Sequence, residues 1–308
     1  WNPSAWNLIA KQDIFSSGSP HVFNSTAKST YLENESDPRQ PNFMAIGLIT
    51  PNKNDWKSTI CSVLEKIQSG EIKKVVISRS HQIKISSGFS VSSALQILRN
   101  KYSNCTTFMF AFPKEGIFFG STPERLIRLN RNYIETEALA GTQARGINIE
   151  EDRLLSNTLF NSHKENEEHK LVVSQIKRKL NSIIKKIDID NIPTIMKLTN
   201  VQHLRTQISG HLKKDKHILE LVNILHPTPA VAGTPTNRAI KIIKELEKND
   251  RGWYSGPIGW FDSKGFGEFY VALRSALVKN EEAHVFAGSG IVSESTPEKE
   301  WKETELKL

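Results

Sequence analysis

Two pairs of glutamates in this sequence are placed where they could hold a cation. Glu165 and Glu168 stand three residues apart, as do Glu300 and Glu303, and each pair lies in a stretch with helical spacing. Residues at i and i+3 share a helix face, and Lys307 continues the face of Glu300. Two helices offering a carboxylate pair each would build an all-oxygen site. That suits Mg²⁺, which takes few carboxylates and completes its shell with water and substrate oxygens. Glutamates at this spacing also decorate solvated helix faces. His169 beside Glu168 raises zinc as well, but a carboxylate set fits the harder ion better.

Other residues could carry acid–base work. Lys74 opens the run Lys-Val-Val-Ile-Ser-Arg. A lysine entering a buried strand loses solvation, and a desolvated amine can act as a base; a strand-edge lysine reaching water is the plain alternative. In Gly120-Ser121-Thr122-Pro123-Glu124-Arg125 the proline fixes the chain ahead of Glu124. That glutamate is then held at a strand start, where it could act as an acid or simply face solvent. Gly141-Thr142 and Gly288-Ser289-Gly290 let backbone amides approach a ligand carboxylate. Neither matches a dinucleotide or phosphate-loop fingerprint. Arg274 interrupts the run 272–276 and calls for a carboxylate from protein or ligand.

These residues need a frame. Apolar positions Trp56, Ile60, Val63, Leu64 and Ile67 predict a helix over 55–69, ended by Gly70. Strands are expected at 74–78, 82–85, 108–112, 117–120, 126–129 and 133–138, with Asn130-Arg131-Asn132 as a hairpin turn. A helix is expected at 90–99, and the spacing over 150–187 predicts one long helix. Beyond it come a strand at 195–208, helices at 217–225 and 235–246, and strands at 256–261, 268–278 and 283–291. Thr296-Pro297 caps a last helix. Hairpins without βαβ alternation predict an α+β fold with antiparallel sheets. Residues 1–55 read as an N-terminal edge and 56–308 as the catalytic domain. The start at Trp1 reads as a cut edge, and Lys307 lies close to the other end.

The composition excludes several classes. With 308 residues, 38% hydrophobic, the chain can bury a substantial core, and no run approaches a membrane span. Net charge is +8, but the lysines are scattered without interleaved aromatics. Nucleic acid is therefore not the expected partner; a small polyanionic substrate suits the charge better. Cys61 and Cys105 form no metal or redox motif and point to a reducing compartment. A monomer is expected.

The order of motifs carries more than any single one. Lys-Val-Val-x-x-Arg (74–79), Ser-Thr-Pro-Glu (121–124), Glu-Ala-Leu-Ala-Gly-Thr (137–142), Lys-Glu-x-x-Glu-His (164–169) and Val-Gln-His-Leu (201–204) are followed by five more. These are His-Pro-Thr-Pro-Ala-Val (226–231), Gly-Trp-Tyr-Ser-Gly-Pro-Ile-Gly-Trp (252–260), Ala-Leu-Arg-Ser-Ala (272–276), Ala-Gly-Ser-Gly-Ile-Val (287–292) and Glu-Trp-Lys-Glu-Thr (300–304). The series resembles the chorismate-utilising enzymes, and among them the isochorismate synthases.

The resemblance implies two large packed antiparallel sheets flanked by helices around a deep cleft, and an isomerase that converts chorismate to isochorismate. It implies Lys74 as the base that activates water and Glu124 as the acid that protonates the departing hydroxyl. Mg²⁺ would lie among Glu165, Glu168, Glu300 and Glu303, with Glu168 and Glu303 as direct ligands. Arg274, Tyr254, Lys307 and the amides of Gly288, Ser289 and Gly290 would bind substrate carboxylates. Gly141, Thr142, His203 and Ala230 would line the pocket. Within the family, anthranilate synthases carry Gln where Lys74 stands, and aminodeoxychorismate synthases carry Lys where Ala140 stands. Both, like salicylate synthases, usually have Thr at Ala230. Salicylate synthase, which goes on to eliminate pyruvate, is the implied alternative. Thr122, Ser255 and Ser289 stand where the family commonly has Ser, Ala and Ala. The resemblance also implies a place in quinone or siderophore synthesis, in the cytoplasm or a plastid stroma.

Overall fold

The computed structural model describes residues 49–85 and 88–308. The expected N-terminal edge therefore lies outside the described residues as far as residue 48. The chain opens with β1 (Ile49–Thr50), α1 (Lys53–Gln68), β2 (Lys74–Lys84), α2 (Val91–Lys101), β3 (Thr106–Phe112), β4 (Gly116–Thr122), β5 (Arg125–Asn130) and β6 (Tyr133–Ala144). There follow α3 (Ile149–Asn161), α4 (His163–Asn181), β7 (Ile184–Ile189), β8 (Thr194–Lys197), β9 (Val201–Leu212), α5 (Ile218–Leu225), β10 (Gly233–Thr234) and α6 (Thr236–Leu246). The last elements are β11 (Pro257–Phe261), β12 (Gly267–Val271), β13 (Ser275–Lys279), β14 (Glu282–Ile291) and α7 (Pro297–Lys307).

The strands form two sheets of seven. One runs β1-β2-β14-β13-β4-β3, with β10 also paired to β2; the other runs β11-β12-β5-β6-β9-β7, with β8 also paired to β9. Every ladder between described residues is antiparallel. The α+β class and the paired sheets are as the motifs implied.

The strands expected at 74–78 and 82–85 are one strand, β2, and the strand expected at 195–208 is a hairpin of two, β8 and β9. Two further passages differ from the sequence reading, and both matter for the site. The single helix expected over 150–187 is broken at Ser162, whose extended backbone (φ −70°, ψ 118°) ends α3 while its side chain caps α4 by accepting from the Glu165 amide. The remainder of that stretch turns into β7. The strand expected over 268–278 is likewise two strands, β12 in one sheet and β13 in the other. Between them Arg274 takes φ +50°. Arg274 thus sits in a crossing between sheets rather than inside a strand.

A second crossing lies beside it. β4 belongs to the first sheet and β5 to the second, and only Pro123 and Glu124 join them. The two crossings are stitched together: Ser121 N–H donates to Arg274 O (3.1 Å), Val271 N–H to Glu124 O (3.0 Å) and Thr122 Oγ1 to Val271 O (2.6 Å). Glu124 and Arg274 are therefore placed by backbone that must leave one sheet for the other.

Burial of the apolar faces holds this frame. Trp56, Ile60 and Val63 recur at helical spacing on α1, are at most 1% exposed, and pack with Ile72, Val75, Ile77 and Trp301. The Trp56 and Trp301 rings meet edge to face at 6.0 Å, tying α1 to the glutamate-bearing α7. Each such side chain contributes about 1.5–3 kcal/mol on burial, and truncating Ile60 to Ala would cost about 2–5 kcal/mol. A larger core joins α4 and α5 to the second sheet through Val172, Ile176, Leu180, Leu221 and Val222 against Ile127, Ile134 and Ile208.

Candidate functional site

The sequence-predicted residues converge on one cleft. Glu124, Gly141, Thr142, Glu168, His203, Ala230, Tyr254, Arg274, Gly288, Gly290 and Lys307 all line it. Lys74, Glu165, Ser289, Glu300 and Glu303 stand outside that lining.

Lys74 begins β2 and is fully buried. Its Nζ lies 2.9 Å from Glu168 Oε1, an oxygen that reaches in from α4. Gly290 makes room for the pair: a Cβ there would lie 2.2 Å from Glu168 Oε1 and 2.8 Å from Lys74 Cε. Glu124, 5% exposed, is the opposite case. Burial first, and then the charge of buried Glu137, raise its pKa to about 8 against the opposing pull of Lys74 and Lys307. Glu137 is itself held by Arg205 Nε (2.6 Å) and the Arg125 amide (3.1 Å). Glu124 is therefore a protonated acid at neutral pH.

A bulge in β6 builds the neighbouring wall. The β6–β9 register shifts between Ala140 and Thr142, where Gly141 takes φ +78°, a conformation that favours glycine. The bulge aims the Thr142 amide at Glu165 Oε2 (2.9 Å) and the Gly141 carbonyl at His203 Nδ1 (3.0 Å). Arg274 Nη2 lies 3.2 Å from His203 Nε2. A guanidinium only donates and a carbonyl only accepts, so His203 carries its proton on Nδ1 and is neutral. Burial, with Arg274 and Lys307 nearby, lowers its pKa to about 3. The ring thus fixes Arg274 without competing for anions. Lys307 Nζ donates to Gly288 O (3.1 Å) and meets Glu303 Oε1 at 2.6 Å. Tyr254 stacks on Phe286 at 5.3 Å, and Gly288 leaves the space beside its hydroxyl, 3.0 Å from where a Cβ would stand. Burial raises that phenol to about 12, so it acts as a donor rather than an anion. The cleft therefore presents cationic and neutral donors together with a carboxylic acid.

The remaining glutamates meet lysines. Lys164 Nζ lies 2.8 Å from Glu300 Oε1 and 3.1 Å from Glu165 Oε1. Ser289 Oγ donates to Glu300 Oε2, so the serine that replaces a common alanine secures one carboxylate of the row. Burial and mutual repulsion raise the pKa of Glu165, and the same causes raise Glu300. Glu303 moves down despite burial, because Lys307 and Lys164 flank it. Burial alone would favour a neutral Lys164 amine, but Glu300, Glu165, Glu303 and Glu168 together hold it charged above the usual lysine range. Among the described residues no three His, Cys, Asp or Glu side chains close in tightly enough to hold an ion by themselves. The donor set nonetheless fits a hard cation, which needs only one or two carboxylates besides water and ligand oxygens. His169 is not part of the row; its Nε2 lies 2.8 Å from Thr206 Oγ1, and burial lowers its pKa to about 4.

Sequence reasoning missed three contributors. Lys164 and Glu137 lay inside quoted motifs but carried no role. Arg251 lines the cleft and clamps it, donating to Val231 O (2.7 Å), Val76 O (2.8 Å) and Glu247. It fixes the loop of Ala230 against β2, and only its position just before Gly252 hinted at this.

Comparison with known proteins agrees with this geometry. Residues 7–308 match the family described as chorismate binding enzyme. The chain is 38% identical over 258 residues to isochorismate synthase MenF of Bacillus subtilis, covering 83% of this chain and 54% of that protein. It is 36% identical over 261 residues to anthranilate synthase component 1 of Saccharolobus solfataricus, covering 83% and 61%. Among solved structures, the menaquinone-specific isochorismate synthase MenF of Escherichia coli superposes with TM-score 0.80 at 33% identity, covering 88% of this chain and 63% of that one. The chain spans a little over half the length of the curated relatives it matches. Among the described residues no helix is long and apolar enough to cross a membrane. Motif order, two antiparallel sheets and a cleft that combines donors with a protonated acid thus agree with the family match, and the chain belongs to the chorismate-binding enzymes.

Proposed function

We propose that the chain converts chorismate to isochorismate with Mg²⁺. The observation that carries this is the pairing, around one cleft, of a fully buried lysine with a glutamic acid that burial keeps protonated. The reaction adds water to one ring carbon while a hydroxyl departs from another and the double bonds shift. Lys74 takes a proton from the incoming water, and Glu124 gives its proton to the departing hydroxyl. Water is consumed and released, so the step is an isomerisation, and solvent exchange resets the two groups. Lys74 fits a water-activating base, whereas the anthranilate synthases carry Gln there.

Arg274, Lys307 and Tyr254 hold the substrate carboxylates, with the amides of Gly288 to Gly290. Gly141, Thr142, His203 and Ala230 shape the wall. Glu168 and Glu303 would hold Mg²⁺, with Glu165 and Glu300 supporting through water. When bound, the ion would draw electron density from the ring carboxylate and orient it.

Incubation with chorismate and Mg²⁺, followed by chromatography, tests the proposal. Isochorismate as the product is expected. Salicylate with pyruvate would assign the chain to the salicylate synthases, and no turnover would refute both. The pathway that uses the product and the compartment follow from the branch: quinone or siderophore synthesis, in cytoplasm or plastid stroma.

A further inference from the structure

Lys164 sits among the four glutamates without any place in the chemistry above. It lies in the first turn of α4, where the positive end of the helix macrodipole disfavours a cation. An ordinary surface lysine would turn away into water. Here the side chain is only 13% exposed, and its Nζ bridges Glu165 Oε1 and Glu300 Oε1, one carboxylate from each glutamate-bearing helix. Glu300 is fully buried, with its other oxygen on Ser289. Glu168 and Glu303 are each matched by another lysine, Lys74 and Lys307. Lys164 is thus the cation that holds Glu165 and Glu300 together across the α4–α7 junction.

We propose that Lys164 is a tethered competitor for the divalent ion: its ammonium neutralises the glutamate row when no metal is bound, and metal entry displaces it toward solvent. The inference rests on the cation reading above and deepens it. The geometry explains how four glutamates, two of them buried, can stand together in the metal-free protein without driving α4 and α7 apart. It also sets the metal affinity. A divalent ion held by Glu168 and Glu303 would need Glu165 and Glu300 for its water-mediated contacts, and the ammonium already occupies both, so binding is weaker than the bare carboxylate row would give. The flexible four-carbon stem and the small residual exposure of Lys164 leave it a path outward.

The test is isothermal titration of Mg²⁺ into chelator-stripped wild type and Lys164→Met, which keeps the apolar stem and removes the charge. Lys164→Met is expected to bind Mg²⁺ about tenfold or more tightly, a factor equal to about 1.4 kcal/mol. Its metal-free melting temperature should fall below that of wild type, and saturating Mg²⁺ should erase most of the difference. Equal or weaker Mg²⁺ binding by the variant, or none by either protein at millimolar Mg²⁺, overturns the proposal. A second measurement needs no variant. Labelling of wild type with an amine-reactive ester, read by peptide mass spectrometry, should modify Lys164 faster with Mg²⁺ than without. Unchanged or slower labelling overturns the displacement. Failure of the activity reading would show instead as absent isochorismate from wild type, which neither measurement uses.

Discussion

Glu124 and Glu303 are one residue type pushed in opposite directions. Glu124 stands at a crossing between sheets, with buried Glu137 as a like-charged neighbour and a pKa raised to about 8. The side chains of Glu168, Glu300 and Glu303 are 8%, 0% and 11% exposed, and each has a lysine within 3 Å. Burial alone disfavours the charged form in both regions. What differs is the company: among the described residues no lysine or arginine forms an ion pair with Glu124, whereas each glutamate of the row touches a lysine. In the proposed function the same side chain serves as the proton donor at one place and as the cation-binding face at the other.

The comparison breaks most visibly if Glu124 is no acid. Glu124→Gln keeps shape and removes the proton source, and turnover should fall about 10²–10⁴-fold; Lys74→Ala should fall as far, with circular dichroism unchanged in both. Near-normal rates in either variant would remove the acid and base assignments. On the other side, Glu300→Gln leaves Lys164 one carboxylate short and should weaken Mg²⁺ binding about 10–100-fold, as loss of a supporting group does, measured by titration. Milder still is Glu137→Gln. Without its charge beside Glu124, the acid ionises at lower pH, so the alkaline limb of the kcat/KM profile should move down from about 8 with less than about tenfold loss at neutral pH. An unmoved limb would mean that burial alone sets the acid.

The sequence carried the elements better than their junctions. Apolar spacing located α1, α5, α6 and most strands, because each presents one face to the core. It ran straight through both breaks. Across 268–278 the apolar run continues through Val271, Ala272 and Leu273 into Ala276, so nothing in the pattern marks the change of sheet. The break at Ser162 did have a signal: Ser162-His163-Lys164-Glu165 has the Ser-x-x-Glu spacing of a helix start. The helical period on either side masked it. Site roles were legible only through motif order, since isolated glutamate pairs and a strand-edge lysine are common. Arg251 reaches Val76, 175 residues away in the chain, and such a contact leaves no local trace.

The smallest effect separates the two regions without any substrate. Glu124 has a folded pKa of about 8 against an ordinary 4.5. The unfolded chain therefore releases this proton first as pH rises. Its contribution to stability is fully present below about pH 4.5, declines between 4.5 and 8, and is gone above 8. The amide introduced by Glu124→Gln has no proton to lose. The variant should therefore gain stability relative to wild type steadily across that window, and the gap should stop widening above about pH 8. Urea unfolding of both proteins at a series of pH values reads the difference directly. A constant gap from about pH 5 to 8 would mean that Glu124 is already ionised in the folded protein, as the lysines beside Glu303 favour for that carboxylate.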